Sequence, residues 1–140
     1  MTSKTIIIQR SSVLAEVYKI TGYTGSKNKN DEISSTSDDD DLLNSYFEEA
    51  ANSVTELLFG YGYCSVSGGV ATYNLSFPSN WNNNMLGPLT NSIIRYIANY
   101  ICMQWFSISK KEDVTYYNNL CTSLTQSIHK YITERNKPTR

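Results

Sequence analysis

Apolar residues recur along this chain with two different periods, and the changes between them divide it into elements. Ile6, Ile7 and Ile8 form a β-branched run suited to a short strand, and Ser11 or Ser12 can cap a helix directly after it. Val13, Leu14, Val17 and Ile20 keep a helical spacing, and Gly22 marks an expected stop. From Tyr23 to Ser37, Gly, Ser, Thr, Asn and Lys prevail and large aliphatic residues nearly vanish. Such a composition cannot bury enough surface to order itself, so a flexible loop is predicted over 23–37.

The acidic run Asp38 to Asp41 precedes a strong helical pattern in Leu42, Leu43, Tyr46, Phe47, Ala50, Val54, Leu57 and Leu58. Carboxylates at a helix start accept hydrogen bonds from free backbone N–H groups and suit the positive end of the macrodipole. Beyond it the period drops to two. Ala71, Tyr73, Leu75 and Phe77 alternate with Thr72, Asn74 and Ser76 behind the turn Gly68-Gly69, which predicts a β-hairpin ended by Pro78. A polar loop, Ser79 to Asn84, holds the single large aromatic Trp81, so hairpin and exit loop together occupy 63–84.

Gly87-Pro88 then opens a long helix whose stripe of Leu89, Ile93, Ile97, Tyr100, Ile101 and Trp105 is widened by Ile94, Ala98 and Cys102. So broad a stripe predicts contact on two sides. Ser109-Lys110-Lys111-Glu112 has capping-box spacing, and the final helix carries Tyr117, Leu120, Cys121, Leu124, Ile128, Tyr131 and Ile132. The expected fold is a single, mainly α domain over 1–140: a bundle of about four helices that includes a long C-terminal antiparallel α-hairpin, with one inserted β-hairpin.

Charge sharpens this picture in one place. No Asp, Glu, Lys or Arg lies between Glu56 and Arg95, although 18% of the whole chain is charged. The 12 basic and 13 acidic residues nearly cancel, to a net charge of -1, and a dense cationic face for a nucleic-acid backbone is not expected. Tyrosine, present 11 times, joins apolar area to a polar tip and is favoured where proteins meet. The uncharged middle is therefore the expected contact surface, with Tyr61, Tyr63, Val66, Tyr73, Leu75, Phe77 and Trp81 as its candidate residues.

The search for reaction chemistry is short. The only histidine, His129, lies beside Lys130 near the end of the last helix, where a cation suits the helix dipole and a structural or solvated role is expected. Glu48 and Glu49 are adjacent on a helix and point in different directions. Cys64, Cys102 and Cys121 are an odd set without close spacing, read as reduced thiols, and a structural zinc site, which needs about four ligands, is not expected with His129 as the only histidine. The aspartate run lacks the spaced ligands, turn glycine and distal glutamate of a calcium loop, so capping is its expected role. Neither phosphate-loop pattern occurs among the glycines, and no secretory leader or apolar run of about 20 residues is seen. No enzyme, cofactor or metal is expected, and the chain reads as soluble.

The layout resembles the head–tail connector, or neck adaptor, proteins of tailed bacteriophages and their prophage relatives. Carrying the resemblance are the helix Asp41-Leu42-Leu43-x-x-Tyr46-Phe47-Glu48-Glu49-Ala50-Ala51, the β segment Thr72 to Phe77 and the long helix from Leu89 to Trp105, within about Asp38 to Phe106. It implies a structural virion protein, made in the host cytoplasm, that forms a homo-oligomeric ring of about twelve copies. The ring would join portal to neck or tail components, with DNA passing through its channel without sequence-specific binding and no membrane involved. An additional C-terminal helix, Glu112 to Glu134, and the lack of a clearly charged channel lining depart from that pattern. The alternative expectation is a small cytoplasmic phage or prophage protein that binds and regulates one host or phage protein.

Overall fold

A computed structural model describes residues 2–27, 40–58 and 60–135. Strand β1 (Thr2–Gln9) runs straight into helix α1 (Arg10–Lys27), and helix α2 (Asp40–Leu57) leads to the hairpin of β2 (Gly62–Ser67) and β3 (Val70–Phe77). Helices α3 (Leu86–Ser109) and α4 (Val114–Thr133) complete the chain. Among the described residues the fold is mainly helical, with four helices and a small antiparallel sheet, as the periodicity implies.

Strand β3 is central, in the order β1-β3-β2, so the isoleucine run at the start of the chain closes the far side of the hairpin. Ile6 lies opposite Tyr73 and Ile8 opposite Ala71, while Cys64 and Val66 flank the same two residues from β2. One face of the sheet is thus apolar and turned inward: Ile6, Ile8, Ala71, Tyr73, Leu75 and Phe77 are all buried. Gly68 and Gly69 take φ of 59° and 77°, the left-handed conformation that a two-residue hairpin turn needs and side chains resist. Gly62 answers a different need, since a Cβ there would run into the backbone carbonyl of Asn74.

Helix α3 is the spine. It packs against α4, α2 and α1, and buries Leu89, Ile93, Ile97, Ile101, Cys102 and Phe106 within one continuous core. This accounts for its unusually broad apolar stripe. At about 1.5 Å per residue, α3 and α4 are roughly 36 and 30 Å long and form the expected antiparallel pair. Both cysteines on them, Cys102 and Cys121, are free and buried. Burial pushes the Cys121 thiol up to about 11, and Cys102 further in the same direction.

Two helix ends differ from expectation. Helix α1 continues through Gly22 to Lys27, because a glycine inside a helix costs only about 1 kcal/mol and does not stop one by itself. The segment expected to be a loop over 23–37 therefore begins as helix, and residues 28–37 lie outside the described residues. The capping box at Ser109 does not form. Ser109 ends α3 and donates its hydroxyl to the carbonyl of Trp105, so it is unavailable to α4. A 3-10 turn, Lys111–Asp113, makes the connection, held by an ion pair of 3.3 Å between Lys110 and Asp113. At the start of α2, Asp40 and Asp41 are its first residues, whereas Asp38 and Asp39 lie outside the described residues.

A polar seam joins α2 to α3. The Tyr100 hydroxyl donates to Oε1 of Glu49 at 2.5 Å. Burial, then this hydrogen bond and the charge of Glu49, push the phenol up to about 12. Its folded value exceeds its unfolded one of about 10, so the fold favours the neutral phenol and this contribution is intact below pH about 10. It is lost as pH rises from about 10 to about 12. Urea midpoints measured across that window should fall for the wild type and fall less steeply for Tyr100→Phe; identical slopes would contradict this coupling.

Candidate contact surface

The sheet alternates strictly, so its two faces differ completely in chemistry. Residues turned away from the helices are Ser3, Thr5, Ile7 and Gln9 on β1, Val70, Thr72, Asn74 and Ser76 on β3, and Tyr63, Ser65 and Ser67 on β2. None is charged. Ile7 is 57% and Tyr63 65% exposed, two of the few large hydrophobic side chains left in solvent. They sit on opposite edge strands, and between them Thr5 lies opposite Asn74, with a long hydrogen bond of 3.4 Å between the side chains. The result is a flat field of hydroxyls and amides with an aliphatic and an aromatic projection at its two sides.

The candidate contact residues divide between the two faces. Tyr63 is on the outer face, as a contact surface requires. Tyr61 and Val66 are half-buried. Tyr73, Leu75, Phe77 and Trp81 are not surface at all: each is buried in the chain's own core, and their expected role as partner contacts is corrected accordingly. Tyr73 donates its hydroxyl to the carbonyl of Ala51 in α2 at 2.9 Å, and burial raises its ionisation far above the ordinary tyrosine value. Phe77 is stacked by Trp81 with ring centroids 3.8 Å apart, and Tyr61 tilts against it from the other side.

Trp81 shows why an apparently polar loop is built around one indole. Its Nε1–H donates to the carbonyl of Tyr131 at 2.9 Å, and the next residue, Asn82, donates its backbone N–H to the carbonyl of Glu134. Tyr131 lies in the last turn of α4, where backbone carbonyls lack partners within the helix. The exit loop of the hairpin therefore fastens the end of the last helix. Ile7, which shares the outer face with Tyr63, is a contact residue that sequence reasoning misses; the available signal is the two-residue period of a strand, which turns the middle isoleucine of Ile6-Ile7-Ile8 away from its two neighbours.

Elsewhere, a cleft of about 450 Å³ opens between α1, α3 and α4, with Glu16, Ile20, Ile94, Arg95, Asn99 and Tyr116 among its lining. Asn99 is held by donating Nδ2 to the carbonyl of Arg95. Ser12 is the only hydroxyl-bearing aliphatic residue on that lining, with no described histidine or cysteine beside it to act as its base. His129 is exposed on α4 and borders a depression with Leu57, Thr125 and Gln126, where the Thr125 hydroxyl donates to the carbonyl of Cys121 and not to the imidazole. Among the described residues no cluster of three or more His, Cys, Asp or Glu is placed to hold a metal, and no helix is long and apolar enough to cross a membrane. Comparison with profiles of known protein families, with curated proteins and with solved structures finds no match in any of the three.

Proposed function

We propose that this chain is a non-catalytic assembly subunit whose uncharged outer sheet face packs against another protein subunit. The observation that carries this reading is the outer face itself, where every position from Ser3 to Gln9, Val70 to Ser76 and Tyr63 to Ser67 that points outward lacks a charge. Covering a charged residue at an interface costs several kcal/mol unless it is paired, whereas hydroxyl and amide side chains can exchange water for a partner's polar groups. Ile7 and Tyr63 supply the apolar area that such a contact needs.

In its specific form the proposal is a ring in the head–tail connector of a tailed phage, joining portal to tail components, as the resemblance in layout implies. A ring built head to tail needs two different, complementary surfaces on each subunit. The sheet face supplies one. The cleft between α1, α3 and α4, lined by helical residues alone, supplies another of unlike shape.

The test is the double variant Ile7→Asp with Tyr63→Asp, both at exposed positions. It should keep the wild-type melting temperature while losing assembly, read by light scattering and by incorporation into particles. Normal assembly of this folded variant would remove the sheet face from the interface. Mass spectrometry of purified virions tests the connector assignment separately: presence in the particle supports it, and absence favours a small cytoplasmic protein that binds and regulates one partner.

A further inference from the structure

The hydrogen-bond parity of the sheet identifies an open edge. Arg10 donates its backbone N–H to the carbonyl of Gly69, continuing the register in which Ile8 faces Ala71 and Ile6 faces Tyr73. Hydrogen-bonded pairs in an antiparallel ladder recur every second residue, so Lys4, Ile6 and Ile8 spend their backbone groups on β3. Ser3, Thr5, Ile7 and Gln9 direct theirs the other way. The opposite edge agrees: Ser76 donates to Tyr61, which assigns the even residues of β3 to β2 and its odd residues to β1. No described backbone group pairs with the outward N–H and C=O groups of β1, and all four of its outward-bonding residues are exposed.

An edge of this kind is ordinarily blunted by proline, by a bulge or by clustered charge. Strand β1 reads TSKTIIIQ without proline, pairs with β3 in unbroken register and carries Lys4 as its only charge. Its sequence also suits itself. With two copies antiparallel and Ile6 meeting Ile6 across a twofold axis, Ser3 falls opposite Gln9, Thr5 opposite Ile7, and Lys4 opposite Ile8. All outward-bonding residues on both copies are then paired, and the two lysines never face each other.

We infer that the free edge of β1 pairs with β1 of a second copy of this chain, joining two three-stranded sheets into one of six. The pairing rests on the assembly reading above and deepens it, because it sets the two uncharged outer faces side by side as one surface. A C2 contact of this kind is self-complementary and closes on itself.

Amide hydrogen exchange on the full chain, below and above the concentration at which it associates, tests the inference. On association the N–H groups of Ser3, Thr5, Ile7 and Gln9 should become as slow as those of Ile6 and Ile8, while Cys64 and Val66, which point outward on the other edge, should not change. Thr5→Pro and Ser3→Pro each delete an outward donor that the chain's own sheet does not use, a substitution that edge strands accommodate. Either variant, folded by circular dichroism, should have half the mass of the wild-type assembly. Association with freely exchanging Thr5 and Ile7, protection of Cys64 and Val66 along with them, or retained wild-type mass in both folded proline variants would overturn the self-pairing and leave the assembly reading standing. A wild type that stays monomeric at every concentration would overturn both the self-pairing and the homo-oligomeric ring.

Discussion

Trp81→Ala is expected to be among the most destabilising single substitutions in this protein, costing about 3–5 kcal/mol, the usual range for deleting a buried aromatic side chain. The indole is 1% exposed, stacks on Phe77 at 3.8 Å and donates to the carbonyl of Tyr131. Its loss opens a cavity beside β3 and at once strips the end of α4 of a hydrogen-bond partner. Domains of this size unfold with a total of only about 5–15 kcal/mol, so the change is a large share of the whole. Thermal melting should shift down by on the order of 10–20 °C. Trp81→Phe keeps much of the stacking area but loses the N–H donor and part of the ring volume, so it should fall between alanine and wild type. A shift of less than about 1 kcal/mol for alanine in urea unfolding would contradict the anchoring role. Failure of Trp81→Ala to assemble would accordingly report lost folding and carry no information about an interface.

Trp81 also marks where the sequence is readable and where it is not. The helical stripes of α2, α3 and α4 are legible because each apolar position recurs on one face, and the buried residues Leu43, Phe47, Ile93, Ile97, Leu124 and Ile128 follow that spacing. The hairpin is legible from Gly68-Gly69 and from the alternation Ala71, Tyr73, Leu75, Phe77. Alternation states that one face is covered and says nothing of what covers it. From the sequence a partner could cover the apolar face equally well, whereas the chain's own helices occupy it, with Tyr73 bonded to Ala51 across a separation that no local pattern discloses. The surface left for partners is the other face, whose signal is an absence of charge rather than a presence of aromatics.

The helix ends follow the same logic. Gly22 and Ser109 carry stop and start signals that act over about one turn, each worth roughly 1 kcal/mol, and packing or a competing bond outweighs either. Ser109 bonds back to Trp105, and α1 runs on to Lys27. Tyr73, Tyr100, Cys102 and Cys121 all ionise above their ordinary range, and burial is the first cause in all four. Perturbed ionisation here follows from the packed core, where burial disfavours the charged form of each group.

The strongest contrast available lies within a single hairpin, between two tyrosines changed in the same way. Tyr63 pairs with Asn74 on the outer face and is 65% exposed; Tyr73, the neighbour of Asn74 along β3, points inward and is fully buried. Tyr63→Asp places a carboxylate in water, where substitutions usually change stability by no more than about 0.5 kcal/mol. Tyr73→Asp removes an aromatic side chain, takes the hydroxyl donor away from the carbonyl of Ala51, and buries a charge with no cation assigned to it. The aromatic loss alone costs about 3–5 kcal/mol, and an unpaired buried charge adds several more. Together they reach the full stability of an ordinary domain. Tyr73→Asp should therefore be largely unfolded at neutral pH, with partial recovery on acidification as the carboxyl is neutralised, while Tyr73→Phe should remain folded and lose only about 1 kcal/mol for the missing hydrogen bond. Circular dichroism and urea titration of the three variants distinguish the faces directly. A folded Tyr73→Asp, or an unfolded Tyr63→Asp, would reverse the assignment of core face and contact face on which the proposed assembly depends.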